Sequence, residues 1–482
     1  MKRKKNNVHE KQWKNAKLFL LQISIVILNT VLFAVTWYLY YKGKMWGTTF
    51  YRKGDYVLFL LYMCLFGVMA KLYGGIALRT SRITELIYSQ IVSIIITNAM
   101  MYIIILLLTR RPKSILPLLL VTVIECFVST AWSYAANHLC NKIFKPANIL
   151  LVYDNEDAYK NAKEIIEKLA WRFKLSGELR LSVRNDGLNS DNENLAKFSD
   201  TYKKVGADSV MLCGLVSSKR NDLIKYCAEN DIKAFVRPNI GDFMISNAQV
   251  VQMANLPVMI CERATQGLVY MTVKRVMDII IALIGLILTS PFLLITAIAI
   301  KAYDGGPVLY KQVRLTKNGR EFKILKFRSM KVDAEKDGVA RLSSQNDDRI
   351  TPVGKLIRAC RVDELPQLFN ILKGDLTCVG PRPERPEIAA QYVKEMPEFS
   401  LRLQVKAGLT GYAQVYGKYN TEPYDKLQMD LMYVSKMGIV TDLKIILATI
   451  KILFMPESTE GIAQGQTTAS GNHSGIKEKG VL

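Results

Sequence analysis

Four long apolar stretches alternate with short polar connections at the start of the chain. They run approximately over Leu18–Tyr40, Tyr56–Leu72, Leu86–Leu108 and Ile115–Ala136. Each has close to the roughly 20 apolar residues that a helix needs to cross the hydrocarbon core of a bilayer. The pattern therefore predicts a four-helix transmembrane bundle over residues 18–140.

A basic segment, residues 1–17, precedes the first apolar stretch. By the positive-inside rule it places the N-terminus in the cytoplasm, although the basic loop Arg110–Lys113 departs from a clean pattern. No small-residue cleavage site follows the first stretch, which indicates an anchor and not a signal peptide. Four crossings would return the chain to the cytoplasm near Asn141. We therefore expect a multi-pass protein of the inner (cytoplasmic) membrane.

Short apolar strands alternate with amphipathic helices over residues 146–262. The predicted strands are Ile149–Tyr153, Leu179–Val183, Ser209–Cys213 and Ala234–Val236. The predicted helices lie near Ala158–Phe173, Leu195–Lys204 and Ser218–Glu229. This alternation predicts a small Rossmann-like domain with a parallel sheet. No G-x-G-x-x-G follows the first strand, which favours a regulatory or packing role over a cofactor site.

A fifth apolar run, Ile279–Ile300, is interrupted by Ser290 and Pro291. Its length suffices for a fifth crossing. Pro291 removes the amide bond to the carbonyl of Ile287 and crowds that turn, while the Ser290 hydroxyl can donate to an orphaned carbonyl. A helix that breaks here could return to the face it entered from. Kinked spanning helices are also common, so the pattern alone leaves both interpretations open.

The remaining sequence has two parts. Residues 302–455 are mostly polar, with Gly and Pro residues that mark turns, and residues 456–482 form a tail. The first part contains scattered short apolar runs and is the candidate catalytic domain. The tail is rich in Gly, Ser, Thr and Gln and lacks apolar periodicity, which predicts disorder.

The net charge of +23 is spread over all of the polar stretches. It favours contact with anionic lipid headgroups, phosphorylated substrates or nucleic acid. Nucleic acid is discounted because no RNP, zinc-finger or helix-turn-helix signature accompanies the apolar stretches. The eight cysteines include no C-x-x-C pair, and there are three histidines. These features argue against a disulfide framework or a zinc site, and they direct the search for catalytic groups to carboxylates.

Two cations, Lys326 and Arg328, are spaced so that a strand would point both to one face, where they could meet a phosphate. Taken alone, such a pair is more often a solvated basic face. A second short segment, Thr351–Arg361, begins with a Thr cap and a Pro at the first helical position. Within it Arg358 and Arg361 are three residues apart and are expected to share a face of the helix.

Adjacent carboxylates, Asp363 and Glu364, follow this segment, and a further helix is predicted between Pro366 and Gly374. The positive end of that helix and the nearby arginines are expected to favour the ionised form of both carboxyl groups. Such a pair is more often only a helix cap. Here one carboxylate could attack phosphorus while its neighbour binds Mg²⁺, the natural metal for an oxygen-only site.

Arg382 stands between two prolines, a stiff presentation that lowers the entropy cost of binding an anion. The alternative is a surface turn. The segment Lys406–Val415 could form a glycine loop near a nucleotide, with Gln414 as a substrate-binding candidate, although alone this signal is weak.

Four ordered motifs together resemble the bacterial sugar transferase family, the monotopic phosphoglycosyl transferases. They are Lys326–Met330, Asp363–Leu368, Val379–Pro383 and Gly408–Val415. The layout ahead of them resembles the long polyprenyl-phosphate hexose-1-phosphate transferases. The resemblance implies a membrane α plus α/β fold, with the helix bundle, a degenerate nucleotide-fold domain and a catalytic α/β domain. It also implies a re-entrant membrane helix over residues 270–301, broken at Ser290 and Pro291.

The resemblance further implies a reaction in two steps. Asp363 would attack the sugar-linked phosphate of a UDP-sugar and release UMP, and undecaprenyl phosphate would then take the phosphosugar from the aspartate. Glu364 matches the family's magnesium-binding carboxylate, and Lys326, Arg358 and Arg382 match basic positions around the phosphates. The product would initiate capsule, exopolysaccharide or O-antigen synthesis. A crossing at the fifth apolar run would separate this chemistry from cytoplasmic nucleotide sugars, which favours the re-entrant interpretation.

Three departures from the family pattern, Arg361, Val362 and Ala407, spare the acidic pair. The implied partners are a UDP-sugar, undecaprenyl phosphate and membrane lipids, with further copies of the chain and polysaccharide-assembly or kinase proteins as additional candidates.

Two rival functions remain to be tested. One is a catalytically silent scaffold that recruits polysaccharide-assembly partners. The other, an alcohol phosphotransferase acting on CDP-lipids, would need several aspartates along its membrane helices, and the apolar stretches contain none.

Overall fold

The computed structural model describes most of the chain. The described residues are 2–42, 53–79, 81–109, 113–181, 187–246, 248–253, 256–260, 267–331, 349–417 and 421–453. They form two compact units, Met1–Pro238 and Asn239–Leu482. The tail that the sequence predicts to be disordered, residues 456–482, lies outside the described residues.

The first unit begins with four long helices. They are α1 (Lys2–Thr36), α2 (Gly54–Tyr73), α3 (Ile83–Thr109) and α4 (Leu116–Ile143). The basic N-terminal segment is part of α1, which continues into a π-helical turn, Trp37–Tyr41. The four helices share a core that includes Phe33, Tyr62, Phe66 and Met101. Large apolar side chains such as Phe127, which is 75% exposed, cover the outside. Each helix is long and apolar enough to cross a membrane.

Buried polar side chains also connect these helices. The Glu125 carboxylate on α4 accepts hydrogen bonds from the Tyr62 hydroxyl on α2 at 2.9 Å and from the Asn98 amide on α3 at 2.6 Å. Asn98 also donates to Thr122 at 2.8 Å. Because such groups have few alternative partners in an apolar interior, these bonds favour one arrangement of the helices.

A four-stranded parallel sheet completes the first unit, with strand order β2-β1-β3-β4. Its strands are β1 (Ala147–Tyr153), β2 (Phe173–Arg180), β3 (Ser209–Cys213) and β4 (Lys233–Val236). The helices between them are α5 (Glu156–Lys168), α6 (Gly187–Val205) and α7 (Ser217–Glu229). The parallel sheet was predicted.

The prediction for β2 was misplaced toward the C-terminus. The sequence pattern put a strand at Leu179–Val183 and let the preceding helix run to Phe173, whereas α5 ends at Lys168 and β2 begins at Phe173. β2 lies at the edge of the sheet, and most of its residues are exposed or half-buried. An edge strand of this kind has no continuous apolar run to mark it.

The second unit begins with α8 (Ile240–Ser246) and the antiparallel pair β5 (Gln249–Met253) and β6 (Leu256–Ile260), followed by α9 (Leu268–Asp304). A hairpin, β7 (Leu309–Leu315) and β8 (Glu321–Phe327), then turns through a 3-10 segment, Lys317–Gly319.

The rest of this unit is built from short elements. They are α10 (Pro352–Ala359), α11 (Gln367–Lys373), β9 (Thr377–Val379), α12 (Pro386–Glu395), a 3-10 segment (Pro397–Gln404), β10 (Gly408–Thr410), α13 (Tyr412–Tyr416), α14 (Pro423–Ser435) and α15 (Ile439–Leu453). Strands β9 and β10 pair in parallel. The core of the unit includes Ala282 of α9, Ile371, Leu376, Val379 and Tyr433.

The helix α9 carries the fifth apolar run and is the fifth helix of membrane-spanning length in the described structure. It is one continuous helix that contains Pro291, and the Ser290 hydroxyl donates to the Ile287 carbonyl at 2.8 Å. This is the carbonyl that Pro291 deprives of its amide donor, as the sequence predicted.

Candidate active site

The adjacent carboxylates lie in a 3-10 turn, Val362–Glu364, between α10 and α11. α10 begins as predicted, because the Thr351 side chain accepts a hydrogen bond from the Gly354 amide at 2.9 Å. The expected shared face of Arg358 and Arg361 was wrong. α10 ends at Ala359, and Arg361 adopts a left-handed conformation with φ 54° that redirects the chain into the turn.

Glu364 is held by two cations from different parts of the chain. Its Oε1 atom accepts from Lys326 Nζ of β8 at 3.1 Å and from Arg382 Nη2 at 2.8 Å. Lys326 is supplied by the end of the β7–β8 hairpin, and Arg382 by the loop that follows β9. Three segments that are separate in the sequence therefore meet at one carboxylate.

The charges in this cluster displace the pKa values of all three groups. Burial would raise the pKa of Glu364, but the charges of Arg382 and Lys326 outweigh it and hold this pKa well below its usual range. The negative charge of Glu364 raises the pKa of Arg382. Burial lowers the pKa of Lys326, against the attraction of Glu364. Glu364 is consequently a permanent anion at physiological pH.

Asp363 behaves differently from its neighbour. Burial, and then the negative charge of Glu364, raises the pKa of Asp363 to about 6, although Lys326, Arg358 and Arg382 act in the opposite direction. The expectation that both carboxyl groups are shifted toward the ionised form was therefore wrong for Asp363. Local sequence shows the nearby cations and the helix end, but it does not show how deeply the carboxyl group is buried.

The remaining predicted site residues differ in whether they lie near the acidic pair. Arg358 lies close enough to Asp363 to lower its pKa. Arg328 follows the end of β8, and its guanidinium pairs with Asp304 at the end of α9 and not with the acidic pair. Gln414 lies on α13, and both polar atoms of its side chain are buried without a hydrogen-bond partner among the described residues.

Sequence reasoning missed the residues that support the Arg382 loop. Arg402 Nη2 donates to the Arg382 carbonyl at 2.7 Å and pairs with Asp430 Oδ2 at 2.7 Å. Arg314 Nη1 donates to the next carbonyl, that of Pro383, at 3.1 Å. Both arginines thus bind backbone carbonyls of this loop and hold it in place. No local pattern announces this role, because Asp430 is distant in the sequence and reaches Arg402 only through the fold.

The site fits a divalent cation only in part. No group of three or more His, Cys, Asp or Glu side chains with metal-binding geometry occurs in the part of the chain that the structure describes. Mg²⁺ commonly uses one or two protein carboxylates together with substrate phosphates. Both cationic contacts of Glu364 are made by Oε1, so Oε2 is the carboxylate oxygen that suits the cation.

Comparisons with known proteins single out the same part of the chain. A sequence model described as "Bacterial sugar transferase" matches residues 269–456. A UDP-glucose:undecaprenyl-phosphate glucose-1-phosphate transferase of Caulobacter vibrioides is 39% identical over 190 residues, which are 38% of this chain and 71% of that relative. The chain belongs to the bacterial sugar transferase family.

Two further relatives are also named as undecaprenyl-phosphate sugar-phosphate transferases. A UDP-N-acetylgalactosamine-undecaprenyl-phosphate N-acetylgalactosaminephosphotransferase of Aeromonas hydrophila is 41% identical over 188 residues, 38% of this chain and 44% of the relative. A UDP-glucose:undecaprenyl-phosphate glucose-1-phosphate transferase of Klebsiella pneumoniae is 38% identical over 218 residues, 44% of this chain and 47% of the relative. The chain thus spans about half the length of these two relatives.

Proposed function

We propose that the protein transfers a hexose-1-phosphate from a UDP-sugar to undecaprenyl phosphate, and so initiates the synthesis of a capsule, exopolysaccharide or O-antigen. The observation that carries the proposal is the pair Asp363 and Glu364, in which two cations donate hydrogen bonds to Glu364 while the pKa of Asp363 is raised. This pair lies in the region that matches the bacterial sugar transferase family.

In the proposed first step, an Asp363 carboxylate oxygen attacks the sugar-linked phosphorus of the donor. A new oxygen–phosphorus bond forms, the bond to the bridging oxygen breaks, and UMP leaves with that oxygen. A pKa of about 6 keeps Asp363 largely deprotonated at neutral pH and more basic than an ordinary aspartate. Lys326, Arg358 and Arg382 offer positive charge to the phosphate oxygens.

In the second step, a phosphate oxygen of undecaprenyl phosphate attacks the same phosphorus. The bond to Asp363 breaks, the carboxylate is regenerated, and undecaprenyl-diphosphate-sugar leaves. Mg²⁺, when bound at Glu364, would neutralise phosphate charge during both steps. Glu364 suits this role because it remains ionised throughout the physiological pH range.

A re-entrant α9 would bring these residues to the cytoplasmic face of the membrane. Two observations support it. Toward its N-terminal end α9 packs into the domain core through Ala282, which belongs to the same apolar cluster as Phe322 and Ile324 of β8. Toward its C-terminal end Ile300 packs against Phe327 of the same strand. Both flanks of α9 thus pack against the same folded domain, which supports a helix that returns to the membrane face it entered from.

The part of α9 between these contacts has the character of a membrane-inserted tip. Ile287 and Leu288 are 71% and 70% exposed, and Phe292 and Ile295 are 61% and 64% exposed. They flank Pro291, the position at which the re-entrant interpretation requires α9 to bend. Exposed apolar side chains on both sides of the turn match insertion into the hydrocarbon and not contact with water.

Substitution of Asp363 by Asn tests the proposed function. Purified protein with Mg²⁺, undecaprenyl phosphate and a panel of UDP-sugars is assayed for UMP, and protein treated with donor alone is analysed by mass spectrometry. We expect Asp363→Asn to abolish UMP release and to remove a phosphosugar adduct from the peptide that contains residue 363. Glu395→Gln, at an exposed position of α12, is the matched charge control and should behave as the wild type.

The same variant separates the enzyme from a scaffold. If cells carrying Asp363→Asn assemble polysaccharide normally, the protein acts through its contacts and the proposed chemistry is wrong. If the wild type releases UMP without a phosphosugar ever appearing on Asp363, transfer occurs directly and the covalent step is wrong.

A further inference from the structure

Two arginines lie near each other where the helix bundle of the first unit joins its parallel sheet. Arg79 belongs to the connection between α2 and α3, and its guanidinium carbon lies 4.1 Å from the ring centroid of Phe144, the residue that follows α4. Arg172 directly precedes β2, and its guanidinium carbon lies 5.0 Å from the ring centroid of Phe173. Burial, and then the positive charge of Arg79, lowers the pKa of Arg172. The two like charges are therefore close enough to interact.

Both guanidinium groups keep their hydrogen-bond donors available. Among the residues that the structure describes, neither group has an ion-pair or hydrogen-bond partner, and each contacts an aromatic ring instead. A ring contacts the face of a guanidinium, whereas the N–H donors point outward from its edge. Two neighbouring cations repel each other unless an anion lies between them. An anion with several acceptor oxygens would satisfy the donors and relieve the repulsion.

The arginine pair lies at the level expected for lipid headgroups. Leu139 of α4 is an apolar side chain that is 45% exposed, and Phe144 follows five residues later. At about 1.5 Å per residue this is a distance of about 8 Å along the helix, and a headgroup layer is roughly 5–8 Å thick. Lys142 and Lys145, on either side of Phe144, are exposed and add positive charge. Basic residues at this depth attract anionic lipids.

An open cavity beside this pair offers room for a headgroup larger than phosphate alone. It has a volume of about 350 Å³ and is bordered by Pro146 and by Phe173, the residue on which Arg172 packs. Lys163 and Lys174 line it together with one acidic residue, Glu167, so its charged lining is positive on balance. A soluble anion would leave the exposed apolar side chains of α4 unused, whereas the acyl chains of a lipid can contact them.

We infer that Arg79 and Arg172 bind the phosphate of an anionic phospholipid headgroup at the membrane surface. The phosphate oxygens accept hydrogen bonds from the edges of both guanidinium groups, and the acyl chains lie along the exposed apolar face of α4. Because Arg79 comes from the bundle and Arg172 from the sheet domain, the bound lipid holds these two parts of the first unit together. The inference concerns the first unit alone and does not depend on the proposed sugar transfer.

Replacement of each arginine by Gln tests this inference. Full-length protein in a neutral detergent is titrated with dioctanoylphosphatidylglycerol, and the bound lipid is counted by native mass spectrometry. A parallel titration uses dioctanoylphosphatidylcholine, which has a phosphate but no net charge. Inorganic phosphate, which has no acyl chains, is added as a competitor. The melting temperature without lipid shows whether each variant is folded, and Arg79 is exposed, so Arg79→Gln leaves the core side chains in place.

We expect Arg79→Gln and Arg172→Gln each to weaken phosphatidylglycerol binding by about tenfold or more, because each variant loses charge-assisted hydrogen bonds to the phosphate. Arg79→Lys keeps the charge but not the planar fork of donors, so its affinity should lie between those of Arg79→Gln and the wild type. The wild type should bind phosphatidylcholine more weakly than phosphatidylglycerol, because the choline cation opposes the two arginines.

Lys203 on α6 and Lys225 on α7 provide the charge-matched control. Both are exposed, and α6 and α7 pack on the face of the sheet opposite to α5. Lys203→Gln and Lys225→Gln each remove one positive charge from the same unit, and both should bind phosphatidylglycerol as the wild type does. This comparison separates a defined site from the general attraction between a basic protein and anionic lipid.

Wild-type affinity for phosphatidylglycerol in folded Arg79→Gln protein would overturn the inference. An equal loss of affinity in the two lysine variants would overturn it as well, because net charge alone would then explain the binding. If an equal concentration of inorganic phosphate displaces the lipid from the wild type, the occupant is a soluble anion and the assignment to a lipid is wrong.

Discussion

Asp363 and Glu364 are neighbours in the chain, but the pKa values of their carboxyl groups are displaced in opposite directions. The difference arises because Glu364 receives direct hydrogen bonds from Lys326 and Arg382, whereas desolvation of the half-buried Asp363 and the charge of Glu364 outweigh the nearby cations. The more weakly stabilised carboxylate is the better nucleophile, and the strongly stabilised one is the better permanent ligand. These contacts support the proposed division of roles between the two carboxylates.

The raised pKa of Asp363 predicts the pH dependence of donor use. Because protonated Asp363 cannot attack phosphorus, kcat/KM for UMP release should fall as the pH drops below about 6, by about tenfold per pH unit. Arg358→Gln removes a positive charge that lowers this pKa, so the pH at which activity is half lost should move upward. The measurement is a pH profile of UMP release at low donor concentration.

Lys355→Gln provides the control for this profile. Lys355 is an exposed cation on the same helix, α10, and its replacement changes the net charge equally. We expect its profile to overlay that of the wild type. If Arg358→Gln leaves the half-point in place, or moves it to lower pH, the electrostatic assignment around Asp363 is incorrect.

At the residue scale, the sequence correctly predicts that a residue lies in the site where the motif and the local geometry agree. Lys326, Glu364 and Arg382 were all candidates, and the structure brings them into contact. Arg328 was chosen by period-two spacing, but β8 ends one residue earlier and Asp304 binds its guanidinium. Spacing predicts which way a side chain points only while the strand continues.

Among the elements, α11 is important because it directly follows the acidic turn. Its C-terminal carbonyls are bound by Arg275 of α9, which donates to Ile371 O at 2.6 Å and to Leu372 O at 2.8 Å. A cation at the C-terminal end of a helix also has a favourable interaction with the helix dipole. The helix α9 thus anchors α11, the helix that follows the acidic turn.

Replacing Arg275 should destabilise the protein. Arg275→Met removes both hydrogen bonds, and hydrogen bonds from charged donors contribute roughly 1.5–3 kcal/mol each. Two such bonds total roughly 3–6 kcal/mol, and for a unit of this size each kcal/mol shifts the melting temperature by roughly 2–4 °C, so we expect it to fall in detergent by at least about 6 °C. Arg275→Lys keeps the charge but not the forked pair of donors, so its melting temperature should lie between those of Arg275→Met and the wild type. Equal melting temperatures for all three proteins would show that these contacts contribute no stability.

Element boundaries were predictable where the signal is local. Thr351 with Pro352 marks the start of α10, and Gly374, with φ 93°, marks the end of α11. β9 and β10 were not predicted, because each has three residues and is defined only by pairing with a partner far along the chain. Caps act within a few residues, whereas a strand this short is specified by tertiary contacts.

For the whole molecule, the described structure contains five helices of membrane-spanning length, and only α9 belongs to the second unit. Apolar length alone cannot distinguish a crossing from a re-entrant helix. The distinction depends on where the flanks of α9 pack, and that information enters only with the folded domain. This is why the sequence pattern left the two interpretations open.

Cysteine labelling at Lys317 distinguishes these topologies. Lys317 lies in the turn between β7 and β8, after α9, so its side of the membrane depends on whether α9 returns. A re-entrant α9 predicts that Lys317→Cys reacts with a membrane-impermeant maleimide only after the membrane has been permeabilised, so that the reagent reaches the cytoplasmic side. Ser114→Cys, in the connection before α4, should react from the periplasm if the first four helices all cross. Labelling of the natural cysteines is measured in the unsubstituted protein and subtracted as background.

The two labels together show whether the predicted topology fails at α9 or in the first four helices. Periplasmic labelling of both positions would mean that α9 crosses and that the catalytic residues face away from cytoplasmic nucleotide sugars. Cytoplasmic labelling of both would keep the re-entrant helix and overturn the predicted order of the first four crossings. Because both flanks of α9 pack into the same folded domain, we expect Lys317 to be reached from the cytoplasm. Four crossings that start in the cytoplasm place Ser114 on the periplasmic side.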